Sequence, residues 1–223
     1  MRNIRVPFFT LLELMLVIAT IMILSSLLLP ALGKVKMRAK AAICAGNLRQ
    51  IGTANYSYSG DFNGWAPKAY DGSIFWTQRL YDDKYLGDKD ILICPSFSPP
   101  NFSRTWYNTY GVNPDVDRNS NSLTVYNQNL VSLAVKYNPS KTWFFTDTVS
   151  LGWWGEWRQS AYCTWASGAG YYLHTRHLQK ANISFLDSSV RAVSIKELED
   201  INPLIITIKD SNLLTQNRPG SGW

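Results

Sequence analysis

Two histidines and two aspartates in the C-terminal half are the residues of this sequence best suited to acid–base or metal chemistry. They are His174, His177, Asp147 and Asp187. Imidazole and carboxylate groups can together bind a divalent ion or transfer protons. A histidine can also orient a β-hairpin by hydrogen bonding to a carboxylate or to the backbone, and we expect that role for His177. The prediction is therefore a protein that is not an enzyme, with no catalytic residues, no metal site and no cofactor.

A second group of oxygen side chains alternates like the first ligands of a calcium-binding loop: Asp115, Asp117, Asn119 and Asn121. The sixth position of this segment is not glycine, and Tyr126 stands where the bidentate glutamate belongs. A polar loop is the simpler interpretation. The sequence also lacks the G-x-G-x-x-G, Walker-type, H-E-x-x-H and G-x-S-x-G motifs, so enzyme classes have no positive support.

Four tryptophans lie close together in a segment that also contains Gly and Tyr: Trp153, Trp154, Trp157 and Trp165. Such rings could stack on the apolar faces of sugars, and core packing explains them equally well. Arg158 is the one basic residue among them. We therefore expect no nucleic-acid partner, although the net charge is +6.

Three cysteines are too few for a disulfide framework, and none forms a C-x-x-C pair: Cys44, Cys94 and Cys163. One disulfide with one free thiol, or three free thiols, are both compatible with the sequence. If the domain lies outside the cytoplasm, the pair Cys44 and Cys94 is favoured, because each residue lies beside an element that should be ordered.

An apolar stretch runs from Leu14 to Leu32, interrupted only by the hydroxyl residues Thr20, Ser25 and Ser26. At about 1.5 Å per residue, a helix of this length roughly matches a hydrocarbon core about 30 Å thick. A short basic leader precedes it. A basic cluster suited to anionic lipid headgroups follows it, formed by Lys34, Lys36, Arg38 and Lys40. The sequence predicts one membrane-spanning helix.

Glu13 lies near the start of this span, where a carboxylate costs on the order of 2.5–3.5 kcal/mol at the bilayer centre and less near an end. A nearby cation would offset that cost. The surrounding residues, Phe-Thr-Leu-Leu-Glu-Leu at 9–14, resemble the N-terminal signal of type IV prepilins and of type II secretion pseudopilins. Pro30 falls where pilins commonly carry a helix-loosening proline.

The resemblance implies a processing event and an assembly contact. A prepilin peptidase would cut between Phe8 and Phe9 and methylate the new amino terminus, although family members usually have Gly where this sequence has Phe8. Glu13 of one subunit would then pair with the terminal amine of a neighbour. Phe8 and Phe9 are thus the predicted processing residues, and Glu13 and Pro30 the predicted assembly residues.

The apolar span is also compatible with a simple signal anchor or with a cleaved secretory signal. A signal anchor does not account for the position of Glu13 relative to Phe9 and Pro30. A cleaved signal ending near residues 31–33 would contain an apolar run longer than the usual 7–15 residues or so. Counting positive charges alone would place the C-terminal side in the cytoplasm, whereas the resemblance implies the opposite orientation, which we follow.

The rest of the sequence predicts an α+β fold with three parts: a leader at 1–8, a helix at 9–58, and an extracytoplasmic globular domain at 59–223. The helix should bury a stripe formed by Ala41, Cys44, Leu48, Ile51, Asn55 and Tyr58 against a small antiparallel sheet. A strand is predicted at 142–146, and a hairpin at 182–193 with its turn near Asp187. Ser194 and Glu197 form a capping-box pattern.

The distal half carries weaker landmarks of a pilin-like family, including Cys94-Pro95-Ser96 and the segment from His177 to Asp187. The latter is similar to a His, nine residues, Asp-Gly motif, with Ser188 in place of Gly. The resemblance implies a pseudopilin or minor pilin of a pilus-like or secretion filament. It would be a single-pass inner-membrane protein whose partners are other pilins, prepilin peptidase and lipid. The alternative is an anchored carbohydrate-binding protein that does not polymerise.

Overall fold

The computed structural model describes residues 10–97, 106–107, 109–113, 128–151, 157–161, 171–194, 196–197 and 208–210. The chain divides into two compact units, Met1–Ala39 and Lys40–Trp223. Several predicted features lie outside the described residues: the leader with Phe8 and Phe9, the loop at 115–121, Cys163, and Trp153, Trp154 and Trp165.

Helix α1 spans Leu11–Asp61 and contains Pro30. It ends three residues beyond the predicted Tyr58, because the chain then enters the left-handed region at Asn63 (φ 52°) and Gly64 (φ 85°). The amide of Gly64 donates to the carbonyl of Ser59 at 2.7 Å, which satisfies one of the carbonyls left open at the helix end.

The first unit is helical from Leu11 onward, and its apolar side chains are exposed. The most apolar 18-residue window of α1 has a mean hydropathy of 2.5, and none of that window is buried within the chain. By length and composition, this is the one helix among the described residues that could cross a membrane. The protein therefore has an N-terminal apolar helix suited to single-pass anchoring.

The second unit packs a core on one face of α1, as the sequence predicted. Cys44, Leu48, Ile51, Asn55 and Tyr58 are buried, and Ala41 is half-buried. The apolar members of this stripe share a core with large side chains from the rest of the unit, among them Trp76, Leu80, Tyr110 and Phe145. The remaining helices are α2 (Trp76–Asp82), a 3₁₀ helix (Lys89–Leu92) and α3 (Leu130–Lys136).

Eight strands form two four-stranded sheets, so the described domain is α+β with more sheet than the single small one predicted. The first sheet is antiparallel throughout, in the order β1 (Gly111–Val112), β2 (Trp143–Thr146), β6 (Lys180–Phe185) and β7 (Val190–Ser194). The second sheet has the order β4 (Trp157–Arg158), β3 (Thr148–Leu151), β5 (Tyr171–Thr175) and β8 (Ile208–Asp210). Its β5–β8 pair is parallel.

The predicted strand at 142–146 and the hairpin at 182–193 are confirmed as β2 and as the β6–β7 pair. The hairpin turn requires a left-handed residue, and Ser188 supplies it with φ 61°. That is the position where the family motif has Gly, the residue that adopts such a φ at least cost. The Ser194–Glu197 capping box also forms, with the Ser194 amide donating to Glu197 Oε2 at 2.8 Å.

Candidate functional sites

Glu13 caps the start of α1. The amide and the hydroxyl of Thr10 each donate to Glu13 Oε2 at 2.8 Å, and the Glu13 amide donates to Thr10 Oγ1 at 3.2 Å. This reciprocal arrangement is a capping box, which satisfies two amide groups that the first turn of a helix leaves open. The predicted assembly residue therefore has a partner within its own chain, bonded through Oε2.

The apolar part of α1 has little polar surface of its own. The hydroxyl of Thr20 donates to the Val17 carbonyl at 2.8 Å, and that of Ser26 donates to the Ile23 carbonyl at 2.7 Å. Both hydroxyls are thus satisfied within the helix, as a lipid or protein environment without water requires. Pro30 lies inside the helix and cannot donate a backbone hydrogen bond to the preceding turn.

A second candidate site is a buried cluster in the globular domain that contains several sequence landmarks. Cys44 of α1 and Cys94 form a disulfide, which is one of the two arrangements that the sequence left open. His177 Nε2 lies 3.5 Å from Cys94 Sγ and 3.1 Å from Asp147 Oδ2. All four side chains are almost fully buried. The cluster ties α1 to the residues that follow β2 and precede β6.

Short backbone features hold His177 and Asp147 in place. The amides and carbonyls of His177 and Lys180 pair across a two-residue turn, in which Leu178 (φ 53°) and Gln179 (φ 64°) are both left-handed. Tight hairpin turns need that conformation but rarely use such side chains. Asp147 lies between β2 and β3, and its Oδ2 accepts the Asn182 amide at 2.8 Å. The Asn182 side chain in turn donates to the Ala41 carbonyl of α1 at 3.0 Å.

A half-buried arginine, Arg176, lies near enough to Asp147 to feel its charge. Arg176 Nε donates to His174 Nδ1 at 2.9 Å, and its guanidinium also contacts the Thr148 carbonyl and lies 4.7 Å from the Phe97 ring centre. Burial lowers the pKa of Arg176, while the Asp147 carboxylate acts in the opposite direction. Burial also raises the pKa of Tyr110 well above its ordinary value, and Asp147 adds to that rise.

The structure regroups the residues that the sequence singled out. His177 contacts Asp147, and His174 is linked to the cluster through Arg176. Asp187 is exposed in the β6–β7 turn, where its Oδ1 accepts the Ser189 amide at 2.9 Å. The paired motif positions His177 and Asp187 thus have separate hydrogen-bond partners. Arg176 was missed, since its bond to His174 and its position near Asp147 cannot be read from local sequence.

The cluster is poorly arranged for acid–base catalysis. A Cys–His–Asp triad uses one imidazole nitrogen for the nucleophile and the other for the carboxylate. Here the same nitrogen, Nε2 of His177, faces both Cys94 Sγ and Asp147 Oδ2, and His177 Nδ1 has no hydrogen-bond partner among the described residues. The side chains are also buried, so a substrate could not reach them without rearrangement.

An open cleft lies at the C-terminal end of α1, with a volume of about 580 Å³. Phe62 and Trp65 line it and are 45% and 42% exposed. Asp71, paired with Arg79 at 2.7 Å, adds a charged edge. Exposed rings beside carboxylates are a common arrangement for contacts with sugars.

Comparisons with known proteins do not extend these observations. A scan of protein-family models found no match, and searches of curated proteins and of solved structures found none either. The likeness to pilins therefore rests on the sequence motifs described above.

Proposed function

We propose that this protein is a structural subunit, a pseudopilin or minor pilin, of a pilus-like or secretion-associated filament. The observation that carries the proposal is a helix whose most apolar 18-residue window is not buried within the chain, with a carboxylate, Glu13, in its first turn. Such a helix needs either lipid or other apolar helices around it. A filament core built from copies of the same segment provides the second environment after the membrane has provided the first.

Assembly would use the charge of Glu13. Cleavage between Phe8 and Phe9 would create an amine four residues before Glu13, and the amine of a neighbouring subunit could replace Thr10 as its partner. Two unit charges about 4 Å apart interact by roughly 4 kcal/mol at an effective dielectric constant of about 20. That is enough to select one stagger between neighbouring helices.

One further observation supports an extracytoplasmic globular domain, and a second supports a membrane anchor. The Cys44–Cys94 disulfide suits an oxidising compartment, because cytosolic thiols are generally kept reduced. The basic cluster at residues 34–40 follows the apolar segment within the same helix, where it can reach lipid headgroups. The proposed location is the inner membrane before assembly, with other pilins and prepilin peptidase as partners.

Three variants separate the charge of Glu13 from its capping role. Glu13→Gln keeps a side chain that can complete a capping box but removes the charge, whereas Thr10→Ala removes the cap and keeps the charge. Incorporation into sheared filaments should fall at least about tenfold in Glu13→Gln and Glu13→Ala, corresponding to a loss of roughly 1.4 kcal/mol or more. Thr10→Ala should assemble nearly normally.

The readout is the amount of the protein in the filament fraction relative to the amount in the membrane, measured in the organism's own membranes. Equal membrane levels in all variants are the control for anchoring. Normal assembly of Glu13→Gln would contradict the charge mechanism. A defect confined to Thr10→Ala and Glu13→Ala would assign Glu13 to capping alone.

The open cleft favours one second candidate, an anchored carbohydrate-binding protein. In that case the aromatic rings of Phe62 and Trp65 in the cleft would bind sugars. Trp65→Ala should then reduce binding of the full chain, in detergent, to a glycan array at least about tenfold. Val135→Ala, which truncates another exposed apolar side chain, is the matched control. Absence of binding by the unaltered protein would remove this candidate.

A further inference from the structure

We propose that the dithiol form of this protein holds one divalent zinc ion through Cys44, Cys94, His177 and Asp147. The first three side chains place one ligand atom each within 4.8 Å of one another, and all are buried. Two sulfurs, an imidazole nitrogen and a carboxylate oxygen are a donor set suited to tetrahedral zinc. The proposal is independent of whether the protein assembles into a filament.

The distances around His177 fit the edges of such a tetrahedron. Two ligand atoms at zinc bond lengths of about 2.0–2.3 Å lie roughly 3.3–3.8 Å apart in tetrahedral geometry. The observed separations are 3.5 Å from His177 Nε2 to Cys94 Sγ and 3.1 Å from the same nitrogen to Asp147 Oδ2. Both edges are therefore close to the values that zinc requires, and only small side-chain movements are needed on this side of the site.

In the dithiol form, a metal would satisfy one nitrogen and the two electron-rich atoms that it faces. A single hydrogen on His177 Nε2 can satisfy either Asp147 Oδ2 or Cys94 Sγ well, but not both. A cation between the three groups would be bound by all of them. Asp147 Oδ1 has no hydrogen-bond partner among the described residues, so the carboxylate can rotate or shift without breaking a contact at that oxygen.

Charge balance is equal in the two forms. With the disulfide intact, the Asp147 carboxylate is balanced by the half-buried Arg176. With zinc bound, two positive charges from the ion are balanced by two thiolates, and Asp147 and Arg176 again cancel. A buried site that carries no net charge avoids the large cost of an unpaired ion.

Zinc and the disulfide exclude one another, because the same sulfurs serve both. Metal binding releases two thiol protons and changes no oxidation state. Conversion to the disulfide requires a disulfide oxidant: the two thiolates lose two electrons, the oxidant takes up two protons and becomes a dithiol, and Zn²⁺ leaves. Zinc would thus hold α1 on the domain before oxidation and leave when the covalent bond forms.

The test uses the full chain in detergent, with bound metal measured after desalting. Protein kept in the dithiol form with tris(2-carboxyethyl)phosphine and supplied with Zn²⁺ should retain about one ion per chain, and the oxidised protein should retain about ten times less. The Cys44→Ser/Cys94→Ser double variant should lose the ion. Cys163→Ser, which removes the remaining thiol, should keep it.

A second measurement uses the unaltered sequence, so it does not depend on whether the cysteine variants fold. Co²⁺ added to the dithiol protein should give the absorption of tetrahedral cobalt together with a thiolate-to-metal charge-transfer band, and Zn²⁺ should displace it. Circular dichroism establishes that the dithiol protein is folded. A folded dithiol protein that retains no zinc, or zinc retained equally by the oxidised protein, would overturn the proposal, as would loss of the ion in Cys163→Ser.

Discussion

Replacing Asp147 by alanine should destabilise the globular domain far more than replacing Asp187, although the sequence motif contains Asp187. Asp147 is 0% exposed, accepts a hydrogen bond from the Asn182 amide at 2.8 Å, and contacts His177 Nε2 at 3.1 Å. Each buried donor left without a partner costs about 1–3 kcal/mol, so the two together cost about 2–6 kcal/mol. Arg176 would also lose its nearby carboxylate, which adds to the loss.

Asp187→Ala is the matched control for this prediction. Asp187 is exposed, and its carboxylate accepts the Ser189 amide within a turn. Surface changes of this kind usually alter stability by no more than about 0.5 kcal/mol, and loss of a single turn contact adds little. The free energy of unfolding should be measured on the full chain in detergent, by denaturant titration followed by tryptophan fluorescence and circular dichroism. Equal losses in the two variants, or a larger loss in Asp187→Ala, would refute the assignment of Asp147 as the buried partner of His177.

Three further predictions concern the same domain. The Cys44→Ser/Cys94→Ser variant should lose about 4 kcal/mol of unfolding free energy under oxidising conditions, because the disulfide closes a loop with a sequence separation of 50; a denaturant midpoint like that of the unaltered protein would contradict this. Ser188→Gly should gain about 0.5–1 kcal/mol, since Ser188 has φ 61° and glycine accepts this conformation more readily; thermal melting would detect it, and a lower midpoint would oppose the reasoning. Backbone hydrogen bonds from Ile74 and Ser73, with Arg79 nearby, lower the pKa of Asp71 below its ordinary value of 3.8. The Asp71 carboxylate therefore stabilises the folded protein above that pH, and this stabilisation is lost as the pH falls through the folded-state pKa. The stability difference between the unaltered protein and Asp71→Ala should therefore shrink in acid, and a difference that grows there would contradict the assignment.

The elements that follow local periodicity could be predicted from the sequence. The buried stripe from Cys44 to Tyr58 repeats at helical spacing. The two strands of the β6–β7 hairpin are short runs rich in apolar residues, and turn residues separate them. Ser194 and Glu197 form their capping box through residues three apart. In each case the determining contacts are close in sequence, so pattern and composition are sufficient.

Contacts between distant segments could not be predicted in the same way. The parallel pairing of β8 with β5 joins strands separated by more than thirty residues and changes the second sheet from antiparallel to mixed. His177 meets Asp147 because β2 pairs with β6 in a particular register. A one-residue change of register would move these side chains to the other face, and the sequence alone does not fix that register.

The sequence drew attention to Glu13 at the start of α1, but it did not lead us to predict the hydrogen bonds between Glu13 and Thr10. Glu13 stood out because a carboxylate is unusual in an apolar run, but its capping bond with Thr10 accounts for the carboxylate within one chain. The sequence is compatible with both the capping bond to Thr10 and an ion pair with a neighbouring amine. The two interactions predict different results when Glu13 is replaced by glutamine, which is neutral. Capping survives that change, whereas an ion pair with a neighbouring amine does not.

Photocrosslinking from the apolar face of α1 tests the central claim most directly. A photoreactive amino acid at Leu24 or Leu28, which are 61% and 65% exposed, should crosslink in native filaments to the N-terminal helix of another pilin-type subunit, identified by mass spectrometry. The crosslink should be lost when Glu13→Gln is introduced into the same chain. Adducts with lipid alone, in a preparation where filaments are present, would contradict assembly through this helix.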